Sequence, residues 1–179
     1  MLRISPLLIP ALLAGANYLP ARDLAAIISS VLVHEAGHIA AIKLTGGRIA
    51  SLYLSPFGAV IKCPPASYRL DLIRAAAGPA ASVILSAAAA LFGSGAVSCV
   101  SLLLGALNLL PVRGLDGGVM LSALLSMKSG LPPPGPAERF INASALFALF
   151  FLSCYIFLIS GENPTMLVFS LALIMRTEQ

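Results

Sequence analysis

Between Arg74 and Arg113 the chain carries no charged side chain, and similar apolar runs fill most of its remaining length. Runs of this kind constrain the fold more than any other feature. Backbone placed in hydrocarbon must satisfy its own N–H and C=O groups, which favours helices. The chain is 59% hydrophobic and 10% charged, with a mean hydropathy of +0.97. A soluble domain has about 25% charged residues, so a water-facing surface cannot be clothed here. No polar stretch is long enough to fold by itself. The sequence therefore reads as an integral, polytopic membrane protein.

About 20 helical residues cross a hydrocarbon core. The first candidate segment covers 4–19 and is broken by Pro6 and Pro10; it reads as a retained membrane segment and not as a signal peptide. The second covers 23–45. Residues 46–65, GGRIASLYLSPFGAVIKCPP, read as a β-hairpin or re-entrant loop, with β-branched residues around a central S-P-F-G turn. The third segment is 68–92, dense in small residues that let helix backbones approach closely. The fourth, 96–110, stops at Pro111; the run VRGLDGG intervenes before apolar sequence resumes as far as Met127, as in a broken helix. After the linker SGLPPPGP come segments 138–160 and 164–176. The expected fold is an all-α polytopic membrane protein with about six transmembrane helices. A β-hairpin or re-entrant loop is expected after the second helix, and the fourth helix is expected to be broken. Residues 1–179 form a single membrane-embedded domain in this reading. Its core is about 23–127, flanked by helices at 4–19, 138–160 and 164–176. No internal repeat is evident.

The net charge is +4 and the pI about 9.3. There is no basic run interleaved with aromatics, so nucleic acid is excluded as a partner. The cations read instead as topology determinants. With the N-terminus in the cytoplasm, Arg3, Lys43, Arg48, Lys62, Arg69, Arg74, Lys128, Arg139 and Arg176 fall on the cytoplasmic side. Of the cations flanking helices, only Arg22 falls outside. Cys63, Cys99 and Cys154 are far apart and read as packing residues.

The chain's only two histidines stand in VLVHEAGHIAA, residues 31–41. Helical positions four apart share a face, so His34 and His38 can hold one metal ion together. Glu35 points to the neighbouring side, where it can take a proton from water beside the metal. This is the H-E-x-x-H pattern. Asp23, Asp71, Glu138 and Glu162 lie at helix ends, where carboxylates are easily solvated, and Asp71 can pair with Arg74 on the helix surface. Glu35 and Asp116 differ, because an acid in apolar context is costly and usually functional. A catalytic zinc wants three protein ligands and one open position. Asp116 leads as the third ligand over Asp71 or a water. It lies at matching depth in the orientation above and is followed by two glycines.

Three stretches resemble the site-2 protease family of intramembrane zinc metalloproteases. They are H-E-A-G-H at 34–38, Ala77-Gly78-Pro79, and NLLPVRGLDGG at 108–118, which matches the family's N-x-x-P-x-x-x-L-D-G motif position for position. The resemblance covers about 23–127. The compact chain, without a PDZ insertion, is most similar to the branch typified by stage IV sporulation protein FB. That branch often adds a CBS domain; the sequence runs to Gln179 without one, so nucleotide-sensing regulation is not expected. The family's third-helix motif often carries an Asn just after the proline, and Ser82 stands near that place here.

The resemblance implies one Zn²⁺ per chain on His34, His38 and Asp116, with Glu35 as general base. It implies an endopeptidase that cleaves transmembrane or membrane-tethered proteins, such as a sigma-factor precursor in sporulation. Asn108 and Pro111 near the metal, and Phe57 and Gly58 in the hairpin, are the candidate substrate-binding residues. The implied partners are a membrane-tethered protein substrate, the lipid bilayer and a membrane inhibitor protein. The implied location is a bacterial cytoplasmic membrane with both termini cytoplasmic. The competing reading is a membrane metal-ion transporter or metal-binding protein. Such a protein has no need of Glu35 in the base position or of the second motif.

Overall fold

The structure is a computed structural model that describes residues 2–6, 8–55, 58–130, 132–160 and 165–177. The chain divides into two compact units, Met1–Asn108 and Leu109–Gln179.

The first unit opens with strand β1 (Leu2–Ile4) and helix α1 (Leu8–Tyr18), followed by α2 (Ala21–Leu44), β2 (Ser51–Ser55), β3 (Gly58–Lys62), α3 (Tyr68–Leu91) and α4 (Gly95–Asn108). Helix α2 carries Asp23 in its first turn and Lys43 in its last, matching both ends of the helix dipole. The three strands form one sheet in the order β1-β2-β3. β1 runs parallel to β2, and β2 antiparallel to β3 with Leu54 opposite Ala59.

Helices α2, α3 and α4 pack on one another. Small and hydroxylated residues make that packing close. A methyl added at Gly37 would meet the Ala77 carbonyl of α3 at 2.5 Å. Ser30 Oγ donates to the Ala26 carbonyl at 2.7 Å and lies 2.7 Å from Ser101 Oγ, which leaves Ser101 to donate across α2 and α4. Ser86 Oγ donates to the Ser98 carbonyl at 2.8 Å, joining α3 to α4. Within a bilayer, where burying apolar surface gives helices little reason to associate, small residues and interhelical hydrogen bonds supply the specificity.

The second unit holds α5 (Asp116–Ser129), α6 (Pro136–Ser160) and α7 (Thr165–Thr177). Its core is Val112, Leu146, Leu149 and Leu173. Val112 belongs to the loop that precedes α5 and is fully buried. Val112 therefore ties the loop into the core of this unit.

The expectation of about six transmembrane helices is corrected. Among the described residues, three helices are long and apolar enough to cross a membrane: Ala21–Leu44, Tyr68–Leu91 and Pro136–Ile159. They make the chain a multi-pass membrane protein. The other apolar segments are too short. α1 has 11 residues, α4 14 and α7 13, which at about 1.5 Å per residue is well under a core about 30 Å thick. At the N-terminus, the expected first membrane segment is divided between a strand that joins the sheet and a three-turn helix. At the fourth segment, α4 ends at Asn108 and a new helix starts at Asp116. Apolar composition reports the environment of these segments; helix length decides whether one crosses it.

Candidate metal centre

His34 and His38 lie one turn apart on α2, with their Nε2 atoms 3.3 Å apart. Two nitrogens each 2.0–2.1 Å from one tetrahedral zinc stand about 3.3–3.4 Å apart. The pair thus has the spacing of two ligands on a single ion. The opposite ring nitrogens are both held. His38 Nδ1 is 2.8 Å from the Arg74 carbonyl. A carbonyl can only accept, so Nδ1 carries the proton, and in the neutral ring Nε2 is the bare nitrogen that a metal takes. His34 Nδ1 lies 2.9 Å from Ser82 Oγ, and both groups are buried.

Helix α3 supplies these partners, and its Ala77-Gly78-Pro79 stretch explains how. A methyl at Gly78 would overlap the His38 imidazole, so only glycine admits the ring against α3. Pro79 cannot donate to the Ala75 carbonyl, and its ring opens that turn of the helix. The neighbouring carbonyl, of Arg74, is the one that accepts from His38. The Arg74 side chain turns away to α2, where Nε donates to Thr45 Oγ1 at 3.0 Å.

Asp116 stands in the first turn of α5. Ligand atoms of His34, His38 and Asp116 all lie within 4.8 Å of one another. Two imidazole nitrogens and a carboxylate oxygen make a donor set that suits zinc and leaves its fourth position open. The three residues are one site for a single Zn²⁺ per chain. In its own unit, Asp116 owes its place to close backbone packing. A methyl at Gly117 would overlap the Leu109 carbonyl, and one at Gly118 would overlap that of Val112. The two glycines after Asp116 thus let the start of α5 sit directly on the preceding loop.

Glu35 is half-buried on α2 and its Oε1 accepts from the Ala59 N–H of β3 at 3.0 Å. Asn108 Nδ2 donates to the Leu104 carbonyl at 3.0 Å, one turn back along α4. Pro111 lies between α4 and α5, and Gly58 opens β3 opposite Ser55. Phe57 lies outside the described residues.

Residues 92–152 match the model of the family described as Peptidase family M50. The chain is 34% identical over 128 residues to the zinc metalloprotease Rip3 of Mycobacterium tuberculosis, a match covering 58% of this chain and 31% of that protein. It is 32% identical over 113 residues to a zinc metalloprotease of Methanocaldococcus jannaschii, covering 56% of this chain and 33% of that one. The fold is similar to the structure of the site-2 protease from Methanocaldococcus jannaschii, with a TM-score of 0.74 and 24% identity over 99% of this chain and 89% of that one. The chain thus has the fold of that site-2 protease and resembles zinc metalloproteases over part of its length.

The matched region spans about a third of the length of the curated relatives. Two features of the site escape a reading of the sequence. Ser82 stands as the partner of His34, 48 positions away, and the Arg74 carbonyl as that of His38, 36 positions away. The only signals for them were the departure from Asn near Ser82 and the Gly78-Pro79 pair beside Arg74.

Proposed function

We propose that this chain is a zinc-dependent intramembrane endopeptidase that cleaves transmembrane or membrane-tethered proteins. The observation that carries the reading is the pair of Nε2 atoms 3.3 Å apart, each on a ring held through its Nδ1, with Glu35 between them in sequence. A metal-transport reading gives no role to a carboxylate placed beside the ligands.

When bound, zinc polarises a peptide carbonyl and brings the pKa of a coordinated water down to about 7. The chain's own residues do the rest. His38 presents a bare Nε2 and His34 its own Nε2 one turn away, the ring directions fixed by the Arg74 carbonyl and Ser82 Oγ. Glu35 takes the proton of the attacking water and returns it to the leaving amine. The hold of the Ala59 N–H on Oε1 keeps that carboxylate aimed. Asn108 and Pro111, at the break between α4 and α5, are assigned to the substrate backbone. Asn108 uses one N–H on Leu104 and has a second to offer a carbonyl.

A helical substrate hides its amides and must unwind before it is cut. In this proposal the β2–β3 hairpin, together with Phe57 and Gly58, receives the unwound strand by edge pairing. The Leu54 carbonyl accepts from Ser5 on the β1 side. Ala59, paired with Leu54, therefore turns its polar groups to the edge away from β2.

The proposal treats 1–179 as one protease domain in a bacterial cytoplasmic membrane, both termini cytoplasmic. Its partners are a tethered substrate, such as a sigma-factor precursor, and a membrane inhibitor protein. The test is Glu35→Gln in detergent, with zinc content and cleavage of a single-span membrane peptide measured together. Both proteins should hold one zinc, and cleavage by the variant should fall by about 10²–10⁴-fold, the usual contribution of a general base. A variant that cuts as fast as wild type would remove Glu35 from the mechanism.

A further inference from the structure

The loop that delivers Asp116 is held at one residue by two side chains of α6. The Arg113 N–H donates to Asn142 Oδ1 at 2.7 Å, and Arg113 Nε donates to Glu138 Oε1 at 3.4 Å. Glu138 is 5% exposed. The sequence suggested a solvated helix-end acid there. The positions 138 and 142 are one turn apart, so they share a face of α6. On the same helix, Leu146 and Leu149 pack against Val112, the residue before Arg113. Gly114 follows with φ +90° and turns the chain into α5. Two residues separate Arg113 from Asp116, and the Leu115 N–H bonds back to the Val112 carbonyl at 3.1 Å. Little slack is left between the point of attachment and the carboxylate.

We infer that Asn142 is a positioning residue for the metal centre, setting the Asp116 carboxylate through the Arg113 backbone. This rests on the reading of Asp116 as a zinc ligand. Packing alone does not explain the arrangement. Val112 already anchors the loop by burial, and a carboxamide beside it is redundant for that purpose. An oxygen accepting from one specific N–H adds what burial lacks, a fixed orientation of the peptide. Glu138 acts with it by holding the Arg113 side chain to the same face. Helix α6, which the sequence places outside the catalytic core, thereby becomes part of the site's support.

The experiment uses the full chain in detergent and Zn²⁺ alone as the probe. Zinc retention is titrated against a chelator, and amide exchange is followed across 109–115. The proteins are wild type, Asp116→Ala, Asn142→Leu, Asn142→Asp and Ser153→Ala. Ser153→Ala removes a buried hydrogen bond to the Leu149 carbonyl in the same helix without touching the loop, so it reports a merely structural loss. Asn142→Leu should hold zinc about 10–100-fold more weakly, the usual effect of removing an outer partner of a ligand. Its exchange should rise in 109–115 and not across α6. Asn142→Asp keeps an acceptor oxygen and should restore both readouts, whereas Ser153→Ala should leave zinc retention unchanged. If Asn142→Leu holds zinc as firmly as wild type, or if exchange rises evenly along α6, the proposal is overturned while the metal site stands. If Asp116→Ala holds zinc like wild type, the ligand assignment itself fails and takes the proposal with it.

Discussion

At the residue scale, the zinc ligands were legible because their relation is local. Two histidines four apart share a helix face wherever the helix sits, and the glutamate after the first points beside them. Their partners were not legible, since Ser82 and the Arg74 carbonyl reach the rings only once α3 packs on α2. Two variants test that packing. Gly78→Ala places a methyl inside the His38 ring. It should cost about 1–3 kcal/mol of stability, as overpacking does, and should abolish zinc binding by displacing the imidazole. Thermal unfolding and zinc content check the two effects separately. Ser82→Ala creates no clash and removes only the partner of His34. It should lower zinc affinity by about 10–100-fold with the helices still packed, as chelator competition would report. Equal zinc retention in Ser82→Ala and wild type would mean that the hydroxyl plays no part in aiming His34. Glu138 makes the same point in reverse. Its place in a first turn suggests water, and only the fold brings Arg113 against it.

At the element scale, irregular backbone was legible at 46–65 and after Asn108, where Gly, Pro and β-branched residues cluster. It did not disclose that Leu2–Ile4 would join the sheet, because parallel pairing with a strand some 50 positions away leaves no local signature. Nor could it separate spanning helices from short ones, since α4 and α7 are as apolar as the helices that cross. The sheet matters to the site through one bond, from the Ala59 N–H to Glu35. Ala59→Pro deletes that donor. Its N–H faces away from β2, and proline is tolerated on the open side of an edge strand, so the hairpin should persist. Losing a hydrogen bond to a charged group is worth about 1.5 kcal/mol or more, which corresponds to about tenfold or more in turnover. Zinc retention should not change, because neither histidine is touched. Comparison of kcat with zinc content checks this. Unaltered turnover would show that Glu35 needs no support from the sheet.

At the scale of the whole molecule, the question is which side of the membrane supplies water to the site. His38 is six residues from the end of α2 at Leu44, and His34 is ten. At about 1.5 Å per residue those are about 9 and 15 Å along the axis. The histidines thus sit in the half of α2 that ends at Leu44, and the proposed hydrolysis must draw water from that side. Lys43, Arg48, Lys62, Arg69 and Arg74 all lie toward the same end of α2 and α3, whereas no cation follows Arg74 until Arg113. Cations of short loops stay on the cytoplasmic side, so the wet face should be cytoplasmic. α3, with 24 residues, is long enough to separate its two flanks completely. In a background with Cys63, Cys99 and Cys154 replaced by serine, Pro65→Cys and Ser94→Cys place one thiol at each flank of α3. Both positions are exposed. A membrane-impermeant maleimide applied to intact cells should label Ser94→Cys and reach Pro65→Cys only after lysis. The opposite pattern would turn the whole chain over. It would send water, and the release of the cut substrate, to the outer face.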